Sequence, residues 1–464
     1  MIYDNLNSLQ NAVSKTANVR ESLIDDLVYT AVFSADANTK AESRKQIHLL
    51  ARKNGAISTT IFPLYDAIGR GDLKPTFTVP AHNIRALTYD VARALFRAAM
   101  RNHVGPFIFE IARSEIGYTE QRPAEYAACV LAAAIKEGYR GPVFIQGDHF
   151  QASAKKWATP EGKASEVKAL ESLIDEAIAA EFYNIDIDTS TLVDLKFPTR
   201  DEQQRTNYEY TAHLTRYIRQ RQPKGMEVSV GGEIGEVGKY NTQPDEVRAY
   251  MEGLRKHLGG ASGIAKISVQ TGTSHGGVPL ADGSIAQAKI DFEVLREVTK
   301  ICRSEYGVAG SVQHGASTLP ESVFNKFPES EAVEIHLATG FQNMILDAPS
   351  FPAEMKDEIR RFCFEQAADE RKAGETDEQF VYKTRKKAIG PFKRRMWDMP
   401  AEAKKPIIDA LQAKFEFLMG KLAVYNTRDV VEKWVPVSAS ELPAYAAASD
   451  ALTAAASVDP NEGE

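Results

Sequence analysis

Three cysteines in 464 residues, Cys129, Cys302 and Cys363, are too few and too far apart for a disulfide framework or a cysteine-based metal site. They read as small buried thiols in a reducing compartment. No apolar run approaches membrane-spanning length, and Met1-Ile2-Tyr3-Asp4-Asn5 lacks the basic and apolar blocks of a signal peptide. A cytoplasmic protein that meets no membrane is expected. Positive charge is not in excess: 56 Lys and Arg stand against 63 Asp and Glu, a net charge of −7. A general nucleic-acid binder would carry a basic field instead, so no nucleic-acid partner is expected. Repeats of solenoid length are missing. So is a Gly-rich fingerprint after the first strand-like run, which argues against a doubly wound dinucleotide-binding sheet.

What remains is an ordinary globular composition, 43% hydrophobic and 26% charged, on a chain longer than one average domain. An α/β barrel with insertions reaches this size. Residues 1–75 read as a helical, amphipathic extension with stripes such as Leu23–Val28 and His48–Ala51. Short β-branched or aromatic runs then alternate with helix-length stretches. They begin at Phe77–Pro80, Pro106–Phe109, Val143–Ile145, Tyr183–Ile187, Glu227–Val230, Lys266–Val269, Val308–Val312 and Val333–Leu337. Eight such strands predict an α/β fold, a (β/α)8 TIM barrel over residues 76–348. Residues 349–440 read as a helical C-terminal extension, and 441–464 as a disordered acidic tail. Within the extension, Lys383–Lys387 and Lys393–Trp397 are basic. A solvated helix face is the plainer reading. The alternative is a cation that reaches a substrate phosphate, across a subunit interface.

In this fold the active site lies at the C-terminal strand ends. Polar residues gather there: His82 and Asn83, Glu110 and Ser114, Asp148 and His149, Asp186 and Asp188, Glu233, Gln270 with His275, His314, and His336 with Thr339. His149, His275 and His314 each follow a strand. A lone histidine in such a place is more often structural, but three leaving parallel strands of one barrel can meet. Three imidazoles with an open fourth position make a catalytic divalent-metal site, most simply zinc. Glycines follow His275 and His314 as Gly276 and Gly315, where an exposed amide can join a phosphate-binding nest; Ser317 adds a hydroxyl. Glu233 ends its strand as a ligand, second partner or proton shuttle, whereas Glu236 suits solvent equally well. Asp186 and Asp188 point to one side of their strand, which is costly inside a barrel unless cations or hydrogen bonds meet them.

Taken in order, these motifs resemble the class II, metal-dependent ketose-bisphosphate aldolases, the fructose- and tagatose-bisphosphate aldolases. Val79-Pro80-Ala81-His82-Asn83, Gly147-Asp148-His149, Ile187-Asp188-Thr189-Ser190, Glu233-Ile234-Gly235, Gly272-Thr273-Ser274-His275-Gly276, Lys289-Ile290-Asp291-Phe292 and His314-Gly315-Ala316-Ser317 are similar to the family's motifs. The resemblance implies a Zn2+ site, or another divalent metal, on His149, His275 and His314, with Glu233 as alternate or outer ligand. It implies Asp148 as the group that moves the hydroxyl proton at the cleaved bond. The metal would polarise the carbonyl and stabilise an enediolate, and Glu233 is a second catalytic acid. Asn83, Gly276, Lys289, Gly315, Ser317, His336 and Thr339 would hold the phosphorylated sugar. A homo-oligomer is the expected assembly.

Three departures from the family pattern bear on substrate. His336 replaces an asparagine that contacts the sugar. Gly238-Lys239-Tyr240-Asn241 stands where an acidic loop is usual, leaving Asp245 or Glu246 as substitutes for its acid. The route from Gly276 to Lys289 is longer than expected. A sugar epimerase or isomerase on the same barrel is the alternative enzyme. A non-enzymatic alternative rests on Ile116–Thr119 and Gly147–Phe150, which are similar to strings in the accessory subunits of tagatose-bisphosphate aldolase.

Overall fold

The computed structural model describes residues 2–16, 18–235, 240–272 and 290–437. Nine parallel strands form its sheet: β1 (Ala56–Thr59), β2 (Val79–Asn83), β3 (Ile108–Ala112), β4 (Gly141–Gln151), β5 (Asn184–Asp188), β6 (Ser229–Glu233), β7 (Lys266–Ser268), β8 (Ser311–Gln313) and β9 (Glu334–Leu337). From β2 to β9 each strand pairs with the next, and β9 pairs back onto β2, closing an eight-stranded barrel. All eight expected strands are therefore present, within a few residues of their sequence limits. Helices separate them, as parallel pairing requires a crossover after every strand.

The ninth strand corrects the reading of residues 1–75 as helical. Ala56-Ile57-Ser58-Thr59 pairs in parallel with Gly141–Phe144 at the start of β4, below the point where β5 joins at Gln146. Four residues are too few to show a period, and all four are buried. Asn184 at the start of β5 locks the entry, donating to Thr59 O (3.3 Å) and accepting from the Ile61 amide (2.9 Å).

Both extensions pack on the barrel's helical layer. Trp397 from the C-terminal extension stacks on Tyr89 of the helix after β2 (5.8 Å, 6° between planes), and Phe33 from the N-terminal extension meets Trp397 edge-on at 5.4 Å. The basic stretch is largely structural: Lys393 pairs with Glu125 (2.7 Å), Lys383 with Glu375 (2.9 Å), and Arg395 with Glu358. The three cysteines are buried and free. No helix among the described residues is long and apolar enough to cross a membrane.

Backbone contact is closest below the barrel, where helix Phe62–Gly69 meets the turn before β8. A Cβ on Gly69 would stand 2.1 Å from Gly307 O and 2.7 Å from Gly307 C. Neither atom belongs to a movable side chain. Gly69→Ala should therefore lower stability by about 1–3 kcal/mol, the usual cost of overpacking. A chemical denaturation midpoint equal to the wild type's would contradict this.

Candidate active site

Strand β4 carries the decisive irregularity. Its register with β5 shifts between Gly147 and Phe150, a bulge that contains Asp148 and His149. His149 has φ +39°, a left-handed conformation that non-glycine residues adopt rarely and chiefly where something holds them. Phe150 folds back under the bulge, so that a Cβ on Gly147 would lie 2.4 Å from its ring. Glycine at 147 is what admits this turn.

The bulge sends the adjacent side chains to different partners. His149 Nδ1 lies 3.0 Å from Asp188 Oδ2 and 3.1 Å from Glu233 Oε2, and its ring is 4.2 Å from that of His314. Asp148 Oδ1 lies 3.3 Å from His336 Nδ1. His314 Nε2 meets Ser268 Oγ at 2.8 Å, and its ring stands 4.1 Å from that of His336. Ligand atoms of His149, Glu233 and His314 all fall within 4.8 Å of one another. Nitrogen and carboxylate donors of this kind suit a divalent cation with an open position.

Electrostatics point the same way. Burial disfavours charge on His149, yet Asp148 and Glu233 outweigh it and hold the imidazole well above its usual pKa. Burial likewise opposes a charged Asp148, but His149 and His336 keep it well below the carboxylate range. Burial and the charge of Asp188 push Glu233 up to about 7. Three acids thus surround one imidazole, a charge balance that a bound cation would neutralise.

Two other donor groups adjoin this one. Asp148, His314 and His336 form an overlapping set, while Asp186, Glu334 and His336 form a deeper one. The deeper set already holds a cation: Lys266 Nζ donates to Asp186 (2.9 Å), Gln146 (2.8 Å) and Glu334. Glu334 also accepts from Tyr65 and contacts His336 Nε2 at 2.7 Å. His336 Nδ1 faces Glu110 at 3.0 Å. The sequence signalled Asp186 as needing a cation but not which one. Lys266 opens an apolar-looking strand run, and its register opposite Gly231 is visible only in the barrel.

The remaining expected residues lie as follows. Asn83 Nδ2 donates to Glu115 (2.6 Å), and its Oδ1 accepts from Arg85 (3.3 Å). Gly315 has φ +67°, and Ser317 Oγ accepts from the Gly340 amide (3.0 Å) beside Thr339, bringing those turns together. His275, Gly276, Lys289 and Glu236 lie outside the described residues, as do Gly238, Lys239 and the 441–464 tail. Asp245 pairs with Arg200 at 3.2 Å, and Glu246 accepts from Gln204 at 2.9 Å, so both are engaged at the start of helix Pro244–Leu258.

The family model described as fructose-bisphosphate aldolase class-II matches residues 73–399. The chain belongs to that family. No curated protein matches it in sequence. Among solved structures it is similar to the fructuronate-tagaturonate epimerase UxaE from Cohnella laeviribosi, at TM-score 0.58 and 10% identity over 85% of this chain and 90% of that one. It is also similar to a probable tagatose 6 phosphate kinase from Sinorhizobium meliloti, at TM-score 0.50 and 17% identity over 82% and 99%. A fructose-bisphosphate aldolase from Campylobacter jejuni matches at TM-score 0.46 and 17% identity over 80% and 97%. At these identities the first two likenesses are ones of fold. Membership places the chain in an aldolase family, and the match covers the whole barrel and most of the C-terminal extension.

Proposed function

We propose that the chain is a divalent-metal-dependent aldolase. It cleaves a phosphorylated ketose of the fructose- or tagatose-bisphosphate type, giving dihydroxyacetone phosphate and an aldehyde. One observation carries this reading: the β4 bulge turns His149 toward Glu233 and His314 while Asp148, its neighbour, turns toward His336. A metal site and a separate proton-transfer carboxylate are thereby built from consecutive residues.

His149, His275 and His314 would hold the metal, with Glu233 as alternate or outer ligand, zinc being the simplest fit. A cation there supplies Lewis acidity toward the ketose carbonyl. Asp148, kept ionised by His149 and His336, accepts the proton of the hydroxyl beside the scissile bond. That bond's electron pair stays on the ketose-derived carbon, and Glu233 returns a proton to it. Gly315, Ser317 and Thr339, with Gly276 and Lys289, bind the ketose phosphate. His336 orients Asp148 from the side facing the barrel interior.

His314→Ala should lower metal content and cleavage together, by about 10²-fold or more in rate. Metal analysis beside an aldehyde-release assay reads both. Full activity in protein shown to be metal-free would sink the metal assignment. Ser317→Ala should weaken binding of phosphorylated sugar while leaving thermal stability near wild type. Equal turnover of unphosphorylated sugars would show the phosphate site to be misplaced.

A further inference from the structure

His336 offers a different edge of its ring to each of two groups of acids. Its Nε2 meets Glu334 Oε1 at 2.7 Å. Glu334 already accepts from Lys266 and Tyr65, so it accepts here too and Nε2 carries the hydrogen. In a neutral ring the lone pair is then on Nδ1. That nitrogen lies 3.0 Å from Glu110 Oε2 and 3.3 Å from Asp148 Oδ1, in hydrogen-bond geometry with neither. Asp148 Oδ1 and Glu110 Oε1 likewise have no hydrogen-bond partner among the described residues. All three side chains are buried: Glu110 is 0% exposed, His336 3% and Asp148 4%. Gln146 fixes the Glu110 carboxylate by donating to Oε2 at 3.1 Å.

Two carboxylates that converge on a lone pair repel it unless a cation stands between them. Bonds of about 2.0–2.2 Å to a divalent ion, at right or tetrahedral angles, put neighbouring ligand atoms about 2.8–3.6 Å apart. The spacings around Nδ1 fall in that range. A metal-binding histidine commonly donates its other ring N–H to a carboxylate, as His336 does to Glu334. The charge balance agrees. Lys266 serves Asp186 and Glu334 deeper in the barrel. Among the described residues, the ion pairs of Glu110 and Asp148 are with His336 and His149 alone, and His149 belongs to the first metal site. Asparagine, the residue of the family pattern at 336, has no ring nitrogen to complete such a set. The arrangement therefore comes with this chain's own departure from that pattern.

We propose that Glu110, Asp148 and His336 form a second divalent-cation site beside the first, which fills when metal is in excess and takes Asp148 out of proton transfer. Two carboxylates with one imidazole suit Mn2+ or Mg2+, whereas the imidazole-rich first site suits zinc. A carboxylate oxygen bound to a cation is a weaker base, so filling this site slows the step that needs Asp148. That effect on rate rests on the aldolase reading, in which Asp148 accepts the hydroxyl proton. The binding of the ion does not.

The first test is independent of turnover. Zinc-loaded full-length protein is titrated with Mn2+, and the electron paramagnetic resonance signal of free Mn2+ gives the number of ions bound. Wild-type protein should bind one Mn2+ per chain in addition to its zinc. Glu110→Gln, nearly isosteric, and His336→Asn, which installs the residue of the family pattern, should each weaken that binding by about tenfold or more. Either variant suffices should the other fail to fold. No Mn2+ bound by the wild type at millimolar concentration, or binding unchanged by the substitutions, overturns the proposal. In the cleavage assay, Mn2+ added to zinc-loaded wild-type protein should lower kcat by about tenfold or more at saturation. Glu110→Gln should need about tenfold more Mn2+ for the same fall. Binding of the ion with no fall in rate overturns the assigned effect on Asp148. Absence of any cleavage by the wild type, alongside Mn2+ binding that both substitutions weaken, would count against the aldolase reading and support the site.

Discussion

Asp148→Asn should reduce carbon–carbon cleavage by roughly 10²- to 10⁴-fold, the usual contribution of a positioned acid–base group. The replacement is nearly isosteric, and it is His149 that approaches Glu233 (3.1 Å), while Asp148 faces His336 (3.3 Å). Metal content should therefore stay close to wild type. Exchange of the carbonyl-adjacent proton of dihydroxyacetone phosphate should survive better than cleavage, because the proposed mechanism assigns that step to Glu233. Steady-state cleavage, metal analysis and proton exchange on one preparation separate these effects. A variant that cleaves at the wild-type rate would remove Asp148 from the proposed mechanism.

The second large effect is on stability. Lys266 is 1% exposed and is the cation shared by Asp186 and Glu334 in the barrel interior. Lys266→Met keeps most of the volume but removes the ammonium that two buried carboxylates share, leaving only His336 near them. Removing one partner of a buried pair costs about 3–5 kcal/mol, so this variant should be strongly destabilised in urea or thermal denaturation. Adding Asp186→Asn to Lys266→Met should recover part of the loss, since one orphaned charge is then gone. A Lys266→Met protein as stable as the wild type would show that the interior network contributes little.

These two residues also mark how much was legible beforehand. Asp148 could be read from the chain because Gly147-Asp148-His149 follows a strand and lies in motif order with Glu233 and His314. The eight barrel strands were legible because buried parallel strands leave continuous β-branched and aromatic runs. The bulge was not. It follows from the close approach of Phe150 to Gly147, a contact between residues that sequence spacing alone cannot orient. Strand β1 was hidden by its four-residue length. Lys266 was hidden because its partners Gln146, Asp186 and Glu334 come from three other strands. His336 stood out as a departure from the family's asparagine, but only the barrel places it between Asp148 and Glu334.

The epimerase alternative differs from the aldolase reading in one observable. Only the aldolase breaks a carbon–carbon bond and releases an aldehyde. Direct product analysis of purified, metal-loaded protein with fructose and tagatose 1,6-bisphosphates is therefore the most direct measurement. The expected result is release of dihydroxyacetone phosphate and aldehyde in equal amounts, lost when the metal is removed and restored when it is returned. Interconversion of the two sugars, or proton exchange with no aldehyde released, would contradict it.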